Sequence, residues 1–301
     1  MHTLAANPGL CYNSGNQTAA KEAAHMPGLL FPQGRRKALT LSYDDGVEQD
    51  RRLIGILDQH GIRATFNLNS GCMPPEGTAY PAGTIHRRMP ISWCRETYDT
   101  SKHEVAVHCL THAMLTELPQ PQVLHEVMKD RENLEDLFGG IIRGFAYPYG
   151  AFSDTVVDAL RAAGIAYART VYSTHNFDVP QDWLRLHPTC HHADPALDSL
   201  CDRFLNEEAR WASRLFYLWG HAYEFEERDN WQIIEEFAEH MGGHEDIWYA
   251  TNIEVVDYVN AYRQLLYSAD GGRVHNPTCQ MVWLDMNGKT VCLKPGETHT
   301  A

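Results

Sequence analysis

Two patterns alternate along this chain. Short apolar runs stop at polar or charged residues, and longer stretches carry apolar positions three and four apart. The first run, residues 38–43 (ALTLSY), ends at Asp44-Asp45-Gly46. It is short, bounded and rich in residues suited to a buried strand. Residues 47–60 then place Leu53, Ile56 and Leu57 at helical spacing, with Gly61 as a stop, and residues 62–68 (IRATFNL) read as a second strand. Strand, helix and strand of these lengths make a βαβ unit, and therefore a parallel sheet with a right-handed crossover.

The pattern repeats. A Pro/Gly-rich loop (71–83) and a short helix (92–100) lead to strand 104–107 (EVAV), which runs into HCLTH. Residues 123–138 are amphipathic, with Val123, Val127, Leu134 and Leu137 on one side and Gly139-Gly140 closing the helix. Strand 141–147 stops at Pro148-Tyr149-Gly150, Ser153 N-caps a helix ending near Ala163, and 165–171 is a strand. Weaker strand candidates are 183–188 and 247–251, with helices over 195–211 and 253–267. The very apolar strand 215–220 (LFYLWG) ends at His221, and Trp231, Ile234, Phe237 and Ala238 form the core stripe of a helix. Six or seven strands alternating with helices predict an α/β barrel or a doubly wound sheet. Past Tyr267 the texture changes to MVWLDM and TVCLK joined by Asn287-Gly288, a strong hairpin signal. Three regions follow: a loosely ordered extension over 1–30, a barrel over 31–268 and a small β appendage over 269–301.

Composition narrows the partners. A net charge of −14 without Lys/Arg-rich blocks argues against nucleic acid or an anionic membrane and favours a neutral substrate. No window approaches the apolar length of a spanning helix, and the first residues have neither the basic start nor the apolar core of a signal peptide, so the expectation is a cytoplasmic protein. Its oligomeric state is left open. Eight cysteines without a C-x-x-C pair read as reduced, buried thiols. The 17 histidines make a metal site worth seeking.

Every chemically loaded group follows an apolar strand: Asp44 and Asp45, then His108 and His112, then the Pro148-Tyr149-Gly150 turn, then His221. In a parallel barrel all strand C-termini share one face, so these groups converge. Two adjacent carboxylates in a confined place repel, and one needs a proton or a cation as partner. One carboxylate oxygen and two imidazole nitrogens, with positions left open, describe a catalytic divalent-metal site. Asp45, His108 and His112 are the expected ligands, with zinc the first choice of ion and cobalt, nickel or manganese the alternatives.

The segments LSYDDG, HCLTH, FAYPYG and LFYLWGHAYEF, in that order and at these separations, resemble the five-motif signature of the polysaccharide deacetylases, the NodB-homology N-deacetylases of carbohydrate esterase family 4, in an FAYPYG-type variant. The resemblance spans roughly residues 31–267 and implies a distorted (β/α)7 barrel. It implies that Asp44 is the general base toward water at the metal, Asp45 the ligand completed by His108 and His112, and His221 the acid that protonates the leaving amine. It further implies that Leu218 helps form the acetyl-methyl pocket, that Tyr149 offers its backbone N–H to the oxyanion, and that Tyr147 and Pro148 face the substrate. Trp183 reads equally as a sugar-stacking wall or as core.

The implied activity is metal-dependent removal of N-acetyl groups from a chitin- or peptidoglycan-like amino-sugar oligo- or polysaccharide. Two alternatives stand beside it: hydrolysis of another non-peptide C–N bond, in a small cyclic amide or ureide, and a non-catalytic carbohydrate-binding protein on the same scaffold. The chain departs from the family where Ala146 replaces an arginine that orients the base, and Arg143 is expected on the opposite face of that strand. The fourth motif is matched only loosely by Asp182-Trp183. Thr111 is expected to brace the histidine loop, His175, His191 and His192 to be surface or supporting groups, Trp219 and Tyr223 to pack near the site, and Cys109 to be a buried filler.

Overall fold

The structure, a computed structural model, describes residues 28–210 and 212–300. The expected N-terminal extension lies outside these residues up to position 27. In chain order the strands are β1 (Gly28–Leu30), β2 (Lys37–Asp44), β3 (Ala64–Leu68), β4 (Glu104–Val107), β5 (Gly144–Ala146), β6 (Tyr167–Arg169), β7 (Cys190–His191), β8 (Arg214–Gly220) and β9 (Ile247–Tyr249). They are followed by β10 (Leu266–Tyr267), β11 (Arg273–His275), β12 (Val282–Met286), β13 (Lys289–Leu293) and β14 (Thr298–Thr300). The helices are α1 (Asp50–Gln59), α2 (Ile91–Thr97), α3 (Gln120–Phe138), α4 (Asp154–Ala162), α5 (Leu197–Asn206), α6 (Tyr223–Glu227), α7 (Gln232–Met241) and α8 (Asn252–Arg263). None of them is long and apolar enough to cross a membrane.

The punctuation behaves as its chemistry dictates. Ser153 Oγ accepts the Val156 N–H at the start of α4, and Gly139 closes α3 in the left-handed region. Asn287 and Gly288 both take positive φ in the two-residue turn between β12 and β13. The weak strand expected over 183–188 is instead a 3-10 turn, Trp183–Arg185, capped by the Asp182 carboxylate.

A curled parallel sheet in the order β6-β5-β4-β3-β2-β8-β7, with β9 beside the start of β2, forms a distorted barrel of the expected α/β class. The seam between β6 and β7 is closed by the chain itself: Leu186 bridges Arg169, and four residues later Cys190 pairs with Leu218 on β8. β2 is buried along its whole length, yet its two faces differ. Leu39, Leu41 and Tyr43 join the outer core with Leu53 and Leu57 of α1 and Ile234 and Phe237 of α7. Thr40, Ser42 and Asp44 occupy the opposite face, where Thr40 donates to Asn252 Oδ1 at 2.7 Å and Asn67 donates to Ser42 at 2.7 Å. The barrel interior is therefore polar and hydrogen-bonded, and Asp44 stands at its upper end.

Beyond the barrel, β12 pairs with β1 and with β13, while β11 pairs with β10 and with β14. These small sheets draw on strands from both sides of residue 269, so the β appendage is stitched to the barrel's flanks.

Asp50, at the start of α1, is fully buried and receives the Tyr98 hydroxyl at 2.5 Å. Burial raises its carboxyl from 3.8 to about 8 against that hydrogen bond. The folded chain thus keeps a proton that the unfolded chain has released, and this group's contribution to stability falls as pH rises from about 4 to about 8. Asp50→Asn is expected to remove that pH-dependent part. Urea midpoints of the variant and wild type should converge near pH 4 and separate in the variant's favour by pH 8; parallel curves would contradict the assignment.

Candidate metal and acid–base site

The groups expected at the strand ends converge. Asp45, His108 and His112 bring one ligand atom each within 4.8 Å of one another. The chain reaches this arrangement through strained backbone: Asp45, Cys109, His112 and Tyr149 all have positive φ, half of the eight such non-glycine residues among those described. His108 Nδ1 lies 2.8 Å from the Ala146 carbonyl, an arrangement that places the proton on Nδ1 and leaves Nε2 facing the site. The histidine loop is braced from α3. Glu126 accepts the Thr111 N–H and hydroxyl at 2.9 Å each, and Asp130 accepts the Ser70 and His108 amides at 2.7 and 3.2 Å. Burial and the neighbouring His108 push His112 down to about 4, so at neutral pH it carries a lone pair rather than a charge. Asp45 is held well below the usual carboxylate range, because the His86 hydrogen bond and the fields of His108 and Arg88 outweigh burial. An ionised carboxylate and two neutral imidazoles suit a divalent ion.

Asp44 plays a different part. Its Oδ1 accepts from Asn67 at 2.8 Å, and Oδ2 accepts from Arg169, with the His108 and His221 Nε2 atoms 3.7 and 3.8 Å away. Burial alone would raise its carboxyl, but Arg169, His108 and His221 together lower it. His221 closes the site from the far side. Its Nδ1 lies 2.7 Å from Glu224 Oε1, and the hydrogen bond to Glu224 with the fields of both aspartates overcomes burial and raises its pKa above the ordinary value.

Residues 32–168 match the polysaccharide deacetylase family. The fold agrees with that of a crystal structure from Mycobacterium smegmatis carrying a polysaccharide deacetylase designation, at TM-score 0.56 and 17% identity over 80% of this chain and 96% of that one. The matched stretch runs from β2 into β6, with Asp44, Asp45, His108 and His112 inside it and His221 beyond it. Weaker likenesses include a Streptomyces lividans family 4 carbohydrate esterase in complex with acetate (TM-score 0.47, 18% identity, 72% and 93% coverage). Another is the Streptococcus pyogenes deacetylase PplD in complex with acetate (0.38, 16%, 44% of this chain and 55% of that one). No curated protein matches the chain.

Within this barrel some expected neighbours stand elsewhere. Leu218 pairs with Leu41 and packs in the outer core, so its side chain faces the helices and not the interior. Trp219, one residue on, is the wall that faces inward: its ring lies 4.6 Å from His191, 5.7 Å from His221 and 4.4 Å from the Arg169 guanidinium. Tyr147 is buried, with its hydroxyl donating to Leu184 O at 2.8 Å, which leaves no surface for a sugar. Pro148 is likewise buried beneath the exposed Tyr149, whose ring meets His112 edge-on at 4.6 Å. Trp183 donates to Asn260 on α8 at 2.8 Å and joins the small clusters around Leu186 and Leu215, so of its two readings core is the one observed. His175 pairs with Asp194 on the exposed surface. Cys109 is buried, and burial raises its thiol well above the ordinary value, as a filler requires.

Four site residues escaped the motif reading. Arg169 and Glu224 hold Asp44 and His221. Arg88 donates to Asp45 Oδ1 at 2.8 Å, and His86 Nε2 lies 3.1 Å from Oδ2. Both come from the segment just after the Pro/Gly-rich loop (71–83), which is pinned by Arg87 to Glu48 and Glu226 and pairs antiparallel at Val47 and Arg88. A second set, His191, His221 and Glu224, also gathers ligand atoms within 4.8 Å. Glu224, however, carries the Arg228 guanidinium at 3.1 Å, which opposes a further cation, and of the three imidazoles around it His221 is hydrogen-bonded at 2.7 Å while His191 and His192 stand at 3.4 and 3.5 Å.

Zinc titration of metal-free protein followed by calorimetry tests the ligand set. His112→Ala should weaken binding by more than the roughly 10–100-fold that loss of an outer partner costs, and His191→Ala should leave it within about threefold. The reverse ranking would place the ion at the second set.

Proposed function

We propose that this barrel is a metal-dependent hydrolase that removes N-acetyl groups from an amino-sugar oligo- or polysaccharide. One observation carries the reading. An ionised carboxylate, Asp44, and a proton-bearing imidazole, His221, flank the Asp45–His108–His112 group from two sides, and each is held by a dedicated partner. When bound there, a divalent ion supplies Lewis acidity toward water and the amide carbonyl.

The chain's own groups move the protons. Asp44 has lone pairs beyond those used by Asn67 and Arg169, and it takes the proton of the attacking water. As water oxygen adds to the acetyl carbonyl carbon, negative charge gathers on the carbonyl oxygen, and the Tyr149 N–H is assigned to it. His221 then gives its Nε2 proton to the departing nitrogen, the C–N bond breaks, and acetate and a free amine remain. Glu224 accepts a hydrogen bond from the Nδ1–H of His221 throughout and keeps Nε2 aimed at Asp44 and the leaving group. Tyr223 and the exposed Tyr149 line the approach, where rings suit the faces of a sugar.

Acetate release from chito-oligosaccharides, peptidoglycan fragments and small N-acetyl compounds tests the reading. Asp44→Asn and His221→Ala should each lower kcat by on the order of 100- to 10,000-fold. Retention of wild-type rates by either would remove its assigned role.

The acid form of His221 is the active one, so the alkaline limb of kcat/KM lies above the ordinary histidine value. In Glu224→Gln the opposing effect of burial should prevail and draw that limb down. An unmoved limb would mean that Glu224 does not set the acid.

A further inference from the structure

We propose that Arg169 is a positioning residue for this reaction: it reaches across the barrel interior to hold the Asp44 carboxylate in the plane and rotamer from which it meets water. The inference rests on the reading of Asp44 as the base.

Three structural facts carry it. Arg169 is the last residue of β6 and is 0% exposed, while Asp44 is the last residue of β2, so the pair joins two strand ends that are not neighbours in the sheet. Second, the guanidinium is committed to one acceptor. Nη2 donates to Asp44 Oδ2, whereas Nε and Nη1 are buried without a protein partner among the described residues. A buried arginine that leaves two donors unmet loses hydrogen-bond energy, so its place is not explained by stability alone. Third, the surroundings make room for the reach. The register partner of Arg169 on β5 is Ala146, whose methyl leaves the interior open, and the guanidinium lies against the Trp219 ring at 4.4 Å. With Asn67 on Oδ1 and Arg169 on Oδ2, both carboxylate oxygens are fixed and rotation about the side chain is blocked. The Asp44 lone pairs left free are then aimed by the strand geometry.

A double-mutant cycle on acetate release tests this. Arg169→Met should lower kcat on the order of 100-fold with KM and zinc affinity within about threefold of wild type. In the Asp44→Asn background the same substitution should cost less than about threefold, because the carboxylate it positions is already gone. Where Arg169→Met does not accumulate as folded protein, Arg169→Lys carries the test, since it keeps the charge without the planar fork. It should lose about tenfold in kcat at unchanged KM, and none of that loss should appear in Asp44→Asn/Arg169→Lys. Additive losses, or losses in KM and zinc affinity equal to those in kcat, would reduce Arg169 to a structural brace and overturn the proposal while leaving the hydrolase reading intact. Wild-type protein that releases acetate from none of the substrates would instead overturn the hydrolase reading, and the positioning role with it.

Discussion

Keeping two adjacent carboxylates ionised at a buried strand end is the constraint around which this barrel is arranged. Asp44 is 2% and Asp45 7% exposed, and a pair of charges so placed is tolerated only when opposite charge and donors surround it. The chain divides the task. Asp44 receives Arg169 and Asn67 from inside the barrel, while Asp45 receives Arg88 and His86 from the strap above and turns toward His108 and His112. The positive φ of Asp45 makes this division possible, because it turns consecutive side chains into separate environments.

The same logic extends outward. His221 has its pKa raised by Glu224, which lies one turn along and is itself approached by Arg228 and the His191–His192 pair. The site is therefore a sequence of basic and acidic groups in alternation, from Arg169 through Asp44 and His221 to Glu224 and Arg228. In a low-dielectric interior such a chain fixes both geometry and protonation state. The Asp45–His108–His112 group stands to one side of it, sharing His108's field with Asp44.

Much of this was legible in the chain. The apolar runs and their stops located the barrel strands that carry chemistry, since a strand buried on one face by helices and on the other by a polar interior still reads as a short bounded run. Asp45, His108, His112 and His221 follow from one rule, that loaded residues at strand ends meet on one face. Arg169 satisfies that same rule at the end of β6, but no motif marks it, and only the Ala146–Arg169 register between β5 and β6 shows that it stands beside the replaced arginine's position. Leu218 was misplaced by one residue of alternation: on β8 it is Trp219 that turns inward. The strap bearing His86 and Arg88 has no periodicity to read, and its position depends on long-range ion pairs from Arg87. Trp183 offered only its aromatic character, which core and binding wall share.

Anomalous diffraction from crystals of the zinc-loaded protein is the most direct test of the division between the two aspartates. The account predicts a single strong peak bonded to Asp45, His108 and His112 at about 2.0–2.2 Å, with Asp44 unligated and still paired to Arg169. A peak bridging both aspartates, or one seated on His191, His221 and Glu224, would contradict it.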